Sequence, residues 1–308
     1  MHLSIISPVY RAEAIVSRLV ERLVLNLDKI GGEYEIILVE DGSPDASWEA
    51  IARECEKDKR IKGLRLSRNF GQHNAIYAGL QAAQGEWIVV MDCDLQDRPE
   101  EIGRLYQKAL EGYDIVLARR AERQDGLLKR WGSKLFYKLF GYLTDTHQDA
   151  AVANFGIYHR NAIGAILSMG DYVRVFPVMV QWVGFRRTAI DVEHAARDEG
   201  KSAYTLGKLF RLAFGMMLSF SEKPLKLGLR AGLFISFLAV CTGVFNFIKY
   251  LRGEILVAGY TSLILSLWFL SGIIIAFVGL TGLYIGKIFE KVKGRPNYIV
   301  QHKKNFEE

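Results

Sequence analysis

Two long apolar stretches in the second half of the sequence constrain the fold most. Residues 229–248 contain a single basic residue, Arg230, and residues 260–285 contain no charged residue. Each stretch meets the requirement of roughly 20 apolar residues for a helix that crosses a bilayer. Because the linker between them is short, we predict a two-helix transmembrane hairpin over residues 228–286 rather than two buried helices of a soluble domain.

Basic residues are concentrated on both flanks of this predicted hairpin. The flanking basic residues are Lys223, Lys226, Arg230, Lys287, Lys291, Lys293 and Arg295, against Lys249 and Arg252 in the linker. Cytoplasmic flanks carry the excess of Lys and Arg in membrane proteins. We therefore expect a multi-pass protein of the cytoplasmic membrane, with residues 1–222 as a cytoplasmic domain and residues 287–308 as a cytoplasmic basic tail. The net charge of +6 then favours anionic membrane lipid, and no nucleic acid, as a partner.

Short apolar runs alternate with helical patterns before the hairpin. Strands are predicted at residues 3–6, 35–39, 61–66, 87–91 and 114–118, and helices at residues 14–27, 46–58, 72–83 and 99–110. Strands separated by helices of this length are typical of a mostly parallel sheet with right-handed crossovers. The fold class is therefore α/β, and ligands of such sheets bind beyond the carboxyl ends of the strands.

Two acidic residues follow the fourth predicted strand. Because side chains alternate along a strand, Asp92 and Asp94 are expected on one side and Cys93 on the other. Hard cations take oxygen ligands, so Asp92, Asp94 and Gln96 are candidate ligands of Mg²⁺ or Mn²⁺ bound together with a diphosphate. An ordinary helix cap is the alternative for Asp97, but it does not account for the other two acids.

Polar groups also follow the other predicted strands. Asp41 is suited to accept a hydrogen bond from a base, Arg68 to meet a phosphate, and the ring of Tyr10 to lie against a base. The sequence has no Gly-x-Gly-x-x-Gly after the first strand and no Walker-type Gly-x-x-x-x-Gly-Lys. This argues against a dinucleotide cofactor and against ATP hydrolysis, and leaves the metal to hold the diphosphate.

Four motifs at these strand ends together resemble the family 2 glycosyltransferases. They are Ser7-Pro8-Val9-Tyr10, Val39-Glu40-Asp41-Gly42-Ser43, Leu66-Ser67-Arg68-Asn69-Phe70-Gly71 and Asp92-Cys93-Asp94-Leu95-Gln96-Asp97. More narrowly, the chain is similar to the polyprenyl-phosphate glycosyltransferases, the group of dolichol-phosphate mannose synthase and the bacterial undecaprenyl-phosphate glucosyl- and aminoarabinosyltransferases. The similarity continues through residues 194–204 and 219–226 into the hairpin, so it covers almost the whole chain.

The resemblance implies a Rossmann-like GT-A fold and an inverting transfer. One sugar would pass from a nucleotide-sugar, expected to be a UDP-sugar, to undecaprenyl or another polyprenyl phosphate. Carried over by position, the nucleotide-sugar would be held by Pro8, Tyr10, Asp41, Ser43, Arg68 and Asp92, the metal by Asp92, Asp94 and Gln96, and the acceptor phosphate by Arg197 and Ser202.

Asn154 is a departure from the resembled family. An Asp commonly occupies this position there and is the usual candidate for the catalytic base. A phosphate monoester has its second pKa at about 6 and is mostly dianionic at neutral pH, so it scarcely needs a base. Asn154 is then expected to position the acceptor or a sugar hydroxyl. Asp149 is the nearest other carboxylate, and a solvated loop acid is an equally good interpretation of it.

Two segments, residues 125–143 and residues 204–221, place apolar residues on one helical face. The first is also rich in Lys and Arg. Basic amphipathic helices of this kind lie at membrane surfaces, so we predict interface helices; a helix packed on the soluble domain is the alternative. Small residues in the second predicted span permit close packing within the hairpin or between subunits of a homo-oligomer.

Two other functions compete with the transferase. A processive polysaccharide synthase would need a Gln-x-x-Arg-Trp signature, and Gln181-Trp182 lacks it. A non-catalytic membrane protein that binds a nucleotide-sugar is suggested by Asn154 and by Glu40, where Asp is common in the resembled family. The intact Arg68, Asp92 and Asp94 favour the enzyme. The sequence does not predict the sugar, the base or the length of the lipid.

Overall fold

The computed structural model describes residues 2–120, 152–169, 174–192, 223–253 and 259–306. The predicted interface helices, together with Asp149, Arg197 and Ser202, lie outside the described residues. The chain divides into two compact units. One holds a sheet with its helices and includes Pro296–Glu308, and the other holds two long helices.

The first unit is built on a mixed, mostly parallel sheet of eight strands. In chain order they are β1 (His2–Val9), β2 (Glu33–Glu40), β3 (Ile61–Leu66), β4 (Trp87–Val90), β5 (Ile115–Arg120), β6 (Val152–His159), β7 (Arg187–Val192) and β8 (Val300–Lys304). Their order in the sheet is β7-β5-β6-β4-β1-β2-β3-β8. Neighbours among β1 to β4 are parallel, as are β5 and β7, while β6 and β8 run antiparallel to their neighbours. The predicted α/β class is confirmed.

Helices cover both faces of this sheet. They are α1 (Glu13–Ile30), α2 (Ser47–Lys57), α3 (Gln72–Ala82), α4 (Ile102–Leu110, after a 3₁₀ turn at Pro99–Glu101), α5 (Arg160–Ser168) and α6 (Phe176–Trp182). Alternate strand residues face opposite layers: Ile5 packs with α1, α2 and α4, and Ile6 packs with α3, α5 and α6. Helix α1, for example, buries one apolar stripe, formed by Val16, Leu19, Leu23 and Leu27.

Strand β6 has no counterpart among the sequence predictions. It lies antiparallel between β4 and β5. Gly156 pairs with Val90. Continuing this register by two residues places Asn154 level with Asp92, so β6 brings Asn154 to the carboxyl edge of the parallel strands.

Strand β8 lies within the segment predicted as a basic tail. It pairs antiparallel with β3 and covers the edge of the sheet, whose N–H and C=O groups would otherwise be unpaired. The Asn305 amide, just after β8, donates to the carbonyls of Cys55 at 2.6 Å and Ile61 at 2.8 Å. The ring of His302 stacks on Trp48 with the centroids 6.2 Å apart. Residues 300–305 are thus an integral part of the first unit.

The second unit consists of α7 (Lys223–Leu251) and α8 (Tyr260–Val292), which contain the two predicted spans. Within the described part of the chain, one stretch, Ser266–Val292, is long and apolar enough to cross a membrane. The ring of Phe277 on α8 lies directly against Gly228 on α7. Crossing by both helices stays a prediction.

Replacing Asn305 by Ala should destabilise the first unit. The change leaves the carbonyls of Cys55 and Ile61 without their amide donor, at a cost of about 1–3 kcal/mol. The thermal unfolding midpoint of the purified protein should fall by several degrees. Lys303→Ala, on the exposed side of β8, is the control and should leave the midpoint unchanged. Equal midpoints for the two variants would contradict this role of Asn305.

Candidate active site

An open cleft of about 380 Å³ lies at the carboxyl edge of the parallel strands. Its lining residues come from the end of β1, from the loops after β1, β2, β3 and β4, and from the start of α3. They are Pro8, Val9, Tyr10, Asp41, Asn69, Gly71, Gln72, Asp92, Cys93 and Asp94. Parallel strands end at one edge, so residues far apart in the sequence meet there. Five of the predicted site residues, namely Pro8, Tyr10, Asp41, Asp92 and Asp94, are brought together in this cleft.

The acidic turn after β4 is folded around its own carboxylates. Asp97 accepts a hydrogen bond from the backbone N–H of Asp92 at 3.2 Å, and Asp94 accepts one from the backbone N–H of Gln96 at 3.1 Å. The side-chain amide of Gln72 donates to Oδ1 of Asp92 at 2.6 Å. These bonds fix the two acids at the mouth of the cleft.

Leu95 explains how the turn reverses so sharply. Its φ of 59° lies in the left-handed region, which costs a residue with a Cβ about 1–2 kcal/mol. The side chain is only 3% exposed and packs in the core. Burial of a Leu side chain contributes a similar amount in the opposite direction, so the core holds the turn in this conformation.

The strict alternation expected for Asp92, Cys93 and Asp94 does not extend through this turn. Strand β4 ends at Val90, and atoms of all three residues line the cleft. Cys93 nevertheless packs against the core, where burial raises the pKa of its thiol to about 12. A thiol that stays protonated is a poor ligand for a metal, so the two carboxylates are the candidate metal-binding groups of the turn.

Asp41 is buried and fastens a neighbouring loop. Its carboxylate accepts hydrogen bonds from the backbone N–H groups of Phe70 at 2.7 Å and Gly71 at 2.9 Å. Burial raises the pKa of Asp41, and the two N–H groups and the charge of Arg68 partly offset that rise. Asp41 therefore joins the end of β2 to the loop between β3 and α3. Asp41 is also one of the residues that line the cleft.

Gly42 lets these two loops meet. A Cβ at this position would lie 2.3 Å from the carbonyl carbon of Arg68 and 2.3 Å from the nitrogen of Asn69. The φ of Gly42 is also +63°, in the region that favours glycine. The wall of the cleft is thus formed by two main chains in close contact.

Four other predicted site residues that the structure describes, namely Ser43, Arg68, Gln96 and Asn154, are not among the lining residues of the cleft. The Arg68 guanidinium lies 4.2 Å above the centre of the Phe70 ring. Ser43 accepts a hydrogen bond from the backbone N–H of Arg11 at 3.1 Å, and so links the loops after β1 and β2. Gln96 contributes its backbone N–H to Asp94. Ser43, Arg68 and Gln96 thus support the loops of the site in the described structure.

Asn154 lies in β6, level with Asp92 on the adjacent strand β4. Its side chain is partly exposed, and its backbone carbonyl accepts a hydrogen bond from the hydroxyl of Tyr158 at 3.4 Å. Residues 154, 156 and 158 share one face of β6, and Tyr158 on that face packs with α3. Asn154 is therefore on the side of the sheet from which Gln72 reaches Asp92.

Sequence reasoning missed Gln72 and Asn69. Asn69 lies within the Ser-Arg-Asn motif, and Gln72 lies at the start of a predicted helix. A polar residue in the first turn of a helix that follows a site strand was a usable signal. The contact with Asp92 itself depends on the order of the strands in the sheet.

The oxygen donors of the cleft fit a hard divalent cation. Across the described residues, no group of three or more His, Cys, Asp and Glu side chains gathers in one place. Two carboxylates alone suit Mg²⁺ or Mn²⁺, which keep waters and bind substrate phosphates, better than a closed zinc site. Asp92 and Asp94 are the residues that would hold such an ion.

Comparison with known proteins decides the family. Residues 4–167 match the model described as glycosyl transferase family 2. The chain belongs to this family. It is therefore a glycosyltransferase, as its strand-end motifs indicated, and the resemblance inferred from the sequence is confirmed.

Related proteins match this chain over nearly its whole length. It is 35% identical over 301 residues to an uncharacterized glycosyltransferase of Synechocystis sp., a match that covers 97% of this chain and 95% of that protein. It is 36% identical over 301 residues to the undecaprenyl-phosphate 4-deoxy-4-formamido-L-arabinose transferase of Shewanella sediminis, covering 97% and 91%. The similarity thus extends beyond the sheet into the long helices.

Solved structures confirm the GT-A-like fold of the first unit. Glucosyl-3-phosphoglycerate synthase from Mycobacterium tuberculosis, crystallised with Mn²⁺, UDP and glucosyl-3-phosphoglycerate, matches with a TM-score of 0.53. The match has 16% sequence identity and covers 71% of this chain and 79% of that one. At this identity the likeness concerns the fold.

Gly42→Ala should damage nucleotide binding. The added methyl group would push the loops after β2 and β3 apart, in addition to the strain of about 1 kcal/mol or more for a positive φ. Gly31→Ala is the matched control, because Gly31 has a φ of +76° but nothing within 4 Å of an added Cβ. Calorimetric titration with UDP should show weaker binding for Gly42→Ala alone. Equal affinities in the two variants would contradict the role of the loop contact.

Proposed function

We propose that this glycosyltransferase transfers a single sugar, with inversion, from a nucleotide-sugar to undecaprenyl or another polyprenyl phosphate at the cytoplasmic face of the membrane. The observation that carries the proposal is the cleft in which Asp92 and Asp94 lie together with Tyr10 and Asp41. The acceptor class is supported by the relatives named as undecaprenyl-phosphate transferases, which match this chain along almost its full length.

The donor would lie across the cleft with its nucleoside on the side of β1 and β2. Tyr10 is 44% exposed and presents its ring for stacking on a base, and the carboxylate of Asp41 is within the same lining. The Asp92 and Asp94 carboxylates lie on the side of β4, where they would face the diphosphate through Mg²⁺ or Mn²⁺. A UDP-sugar is the donor that we propose.

The proposed reaction has the acceptor phosphate as its nucleophile and the nucleoside diphosphate as its leaving group. An oxygen of the acceptor phosphate forms a bond to the anomeric carbon while the bond from that carbon to the diphosphate breaks. The products are the sugar linked to the polyprenyl phosphate and a nucleoside diphosphate. A bound divalent ion would supply charge neutralisation of the departing diphosphate. Asp92 and Asp94 would hold it, and the rigid turn around Leu95 keeps them in place without rearrangement.

The attacking group needs orientation more than deprotonation. A phosphate monoester is mostly dianionic at neutral pH, so no proton has to be removed before attack. Asn154 is level with Asp92, and in this proposal it would donate its amide to the acceptor phosphate or to a sugar hydroxyl. An amide suits this task, because a carboxylate at the same place would repel a dianionic nucleophile.

Sheet topology supports a membrane protein with two crossings. Strands β7 and β8 belong to one sheet and so lie on one side of a membrane, although α8 lies between them in the chain. If α8 crosses the bilayer once, the chain crosses a second time between β7 and α8. Helix α7 is the described helix in that interval, and the basic residues on the outer flanks of the pair favour the cytoplasm for the sheet.

Transfer of radiolabelled sugar into organic-extractable lipid tests the proposal. The assay uses purified protein, undecaprenyl phosphate, Mn²⁺ or Mg²⁺, and a panel of nucleotide-sugars, with EDTA as a control. Labelling of the lipid by one donor, lost with EDTA and regained with excess Mn²⁺, is the expected result. Binding of UDP without labelling by any donor would instead favour the non-catalytic nucleotide-sugar-binding protein.

Asp94→Ala should lower the rate of this transfer by roughly 100-fold or more, since one of two groups that hold the diphosphate through the metal is lost. Glu21→Ala removes an exposed acid from α1 and serves as the charge control. Its rate should equal that of the unmodified protein. Retained transfer in Asp94→Ala, with the fold intact by thermal unfolding, would remove the metal role from Asp94.

A further inference from the structure

Gln72 makes a side-chain hydrogen bond with Asp92, one of the two acids that we propose to hold the metal. Its Nε2 donates to Oδ1 of Asp92 at 2.6 Å, and Gln72 itself is exposed and lines the cleft. A hydrogen bond to one oxygen sets the plane of the carboxylate. It therefore sets the direction in which Asp92 presents itself to a cation.

The donor is an uncharged amide. A Lys or Arg in its place would form an ion pair with Asp92 and compete with a divalent cation for the same carboxylate. An amide orients the carboxylate without placing a positive charge beside it. A glutamine at position 72 is thus well suited to orient Asp92 as a metal ligand.

The backbone beneath Gln72 is held firmly. Gly71, directly before it, donates its N–H to Asp41 at 2.9 Å. The carbonyl of Gly71 accepts hydrogen bonds from the N–H groups of Asn74 at 2.9 Å and Ala75 at 3.2 Å, which begin α3. The side chain of Gln72 therefore projects from a fixed point, and its amide has a defined position relative to Asp92.

We propose that Gln72 is a positioning residue that orients Asp92 for a divalent cation through a neutral hydrogen bond. The inference rests on the proposed function for the identity of the metal site. Gln72 does not bind the cation itself in this proposal. Its effect is on the affinity of Asp92 and Asp94 for the ion, and on transfer only through that affinity.

Two substitutions test separately whether the hydrogen bond and the absence of a positive charge at position 72 matter. Gln72→Met keeps the length and shape of the side chain but has no N–H to donate. Gln72→Lys keeps a donor and adds a positive charge. Gln107→Ala, on the exposed face of α4, is the control. Because position 72 is exposed, all three variants should keep the thermal unfolding midpoint of the unmodified protein.

Binding of Mn²⁺, alone and with UDP, is measured by electron paramagnetic resonance of the free ion. Loss of an outer partner of a metal ligand typically lowers affinity by tenfold or more, so Gln72→Met should bind Mn²⁺ roughly tenfold more weakly. Gln72→Lys should bind it more weakly still, with partial recovery at high salt. UDP affinity without metal should be the same in Gln72→Met, in Gln107→Ala and in the unmodified protein.

The outcomes distinguish this inference from the proposed function. Unchanged Mn²⁺ affinity in Gln72→Met, with affinity lost in Asp92→Asn, would overturn the role of Gln72 and leave the transferase intact. Affinity of Gln72→Lys equal to that of the unmodified protein would overturn the requirement for a neutral donor. Weaker Mn²⁺ binding in both variants of Gln72 would support the inference even in a protein that transferred no sugar.

Discussion

The two hydrogen bonds from the backbone of Phe70 and Gly71 to the carboxylate of Asp41 are the interaction on which the rest of the cleft depends. They hold the loop after β3 against the loop after β2, where Gly42 permits the main chains to touch. Hydrogen bonds to a charged group contribute about 1.5–3 kcal/mol each, enough to offset part of the cost of burying Asp41. The same bonds fix the start of α3, and α3 carries Gln72 to Asp92. One buried acid thus connects the loops after β2 and β3 with the acidic turn after β4.

The sequence predicted those parts of the site that depend on local pattern. Apolar runs and helical periodicity placed β1 to β5 and α1 to α4 close to their observed bounds, because both signals come from neighbouring residues. Because parallel strands end at one edge of a sheet, the sequence also predicted that Tyr10, Asp41, Asp92 and Asp94 lie close together. These residues line the observed cleft.

Features that depend on long-range pairing were not predicted. The residues of β6 and β8 do not by themselves indicate which strands they pair with. The directions of side chains were also not predicted. Arg68 and Ser43 occupy the expected loops, but the ring of Phe70 and the N–H of Arg11 determine where their polar groups lie. Gln72 was also missed, because its partner Asp92 follows β4, which lies three positions from β3 in the sheet order.

The pairing of β8 with β3 also orders events during synthesis. Asn305 and its partner Cys55 are 250 positions apart, and both long helices lie between them in the chain. A ribosome must therefore complete α7 and α8 before the edge of β3 can be covered. Until then the sheet offers an open row of N–H and C=O groups, of the kind that invites pairing with other chains. Completion of the catalytic domain thus waits for the apolar helices, so that a chain halted before α8 is left with an incomplete sheet.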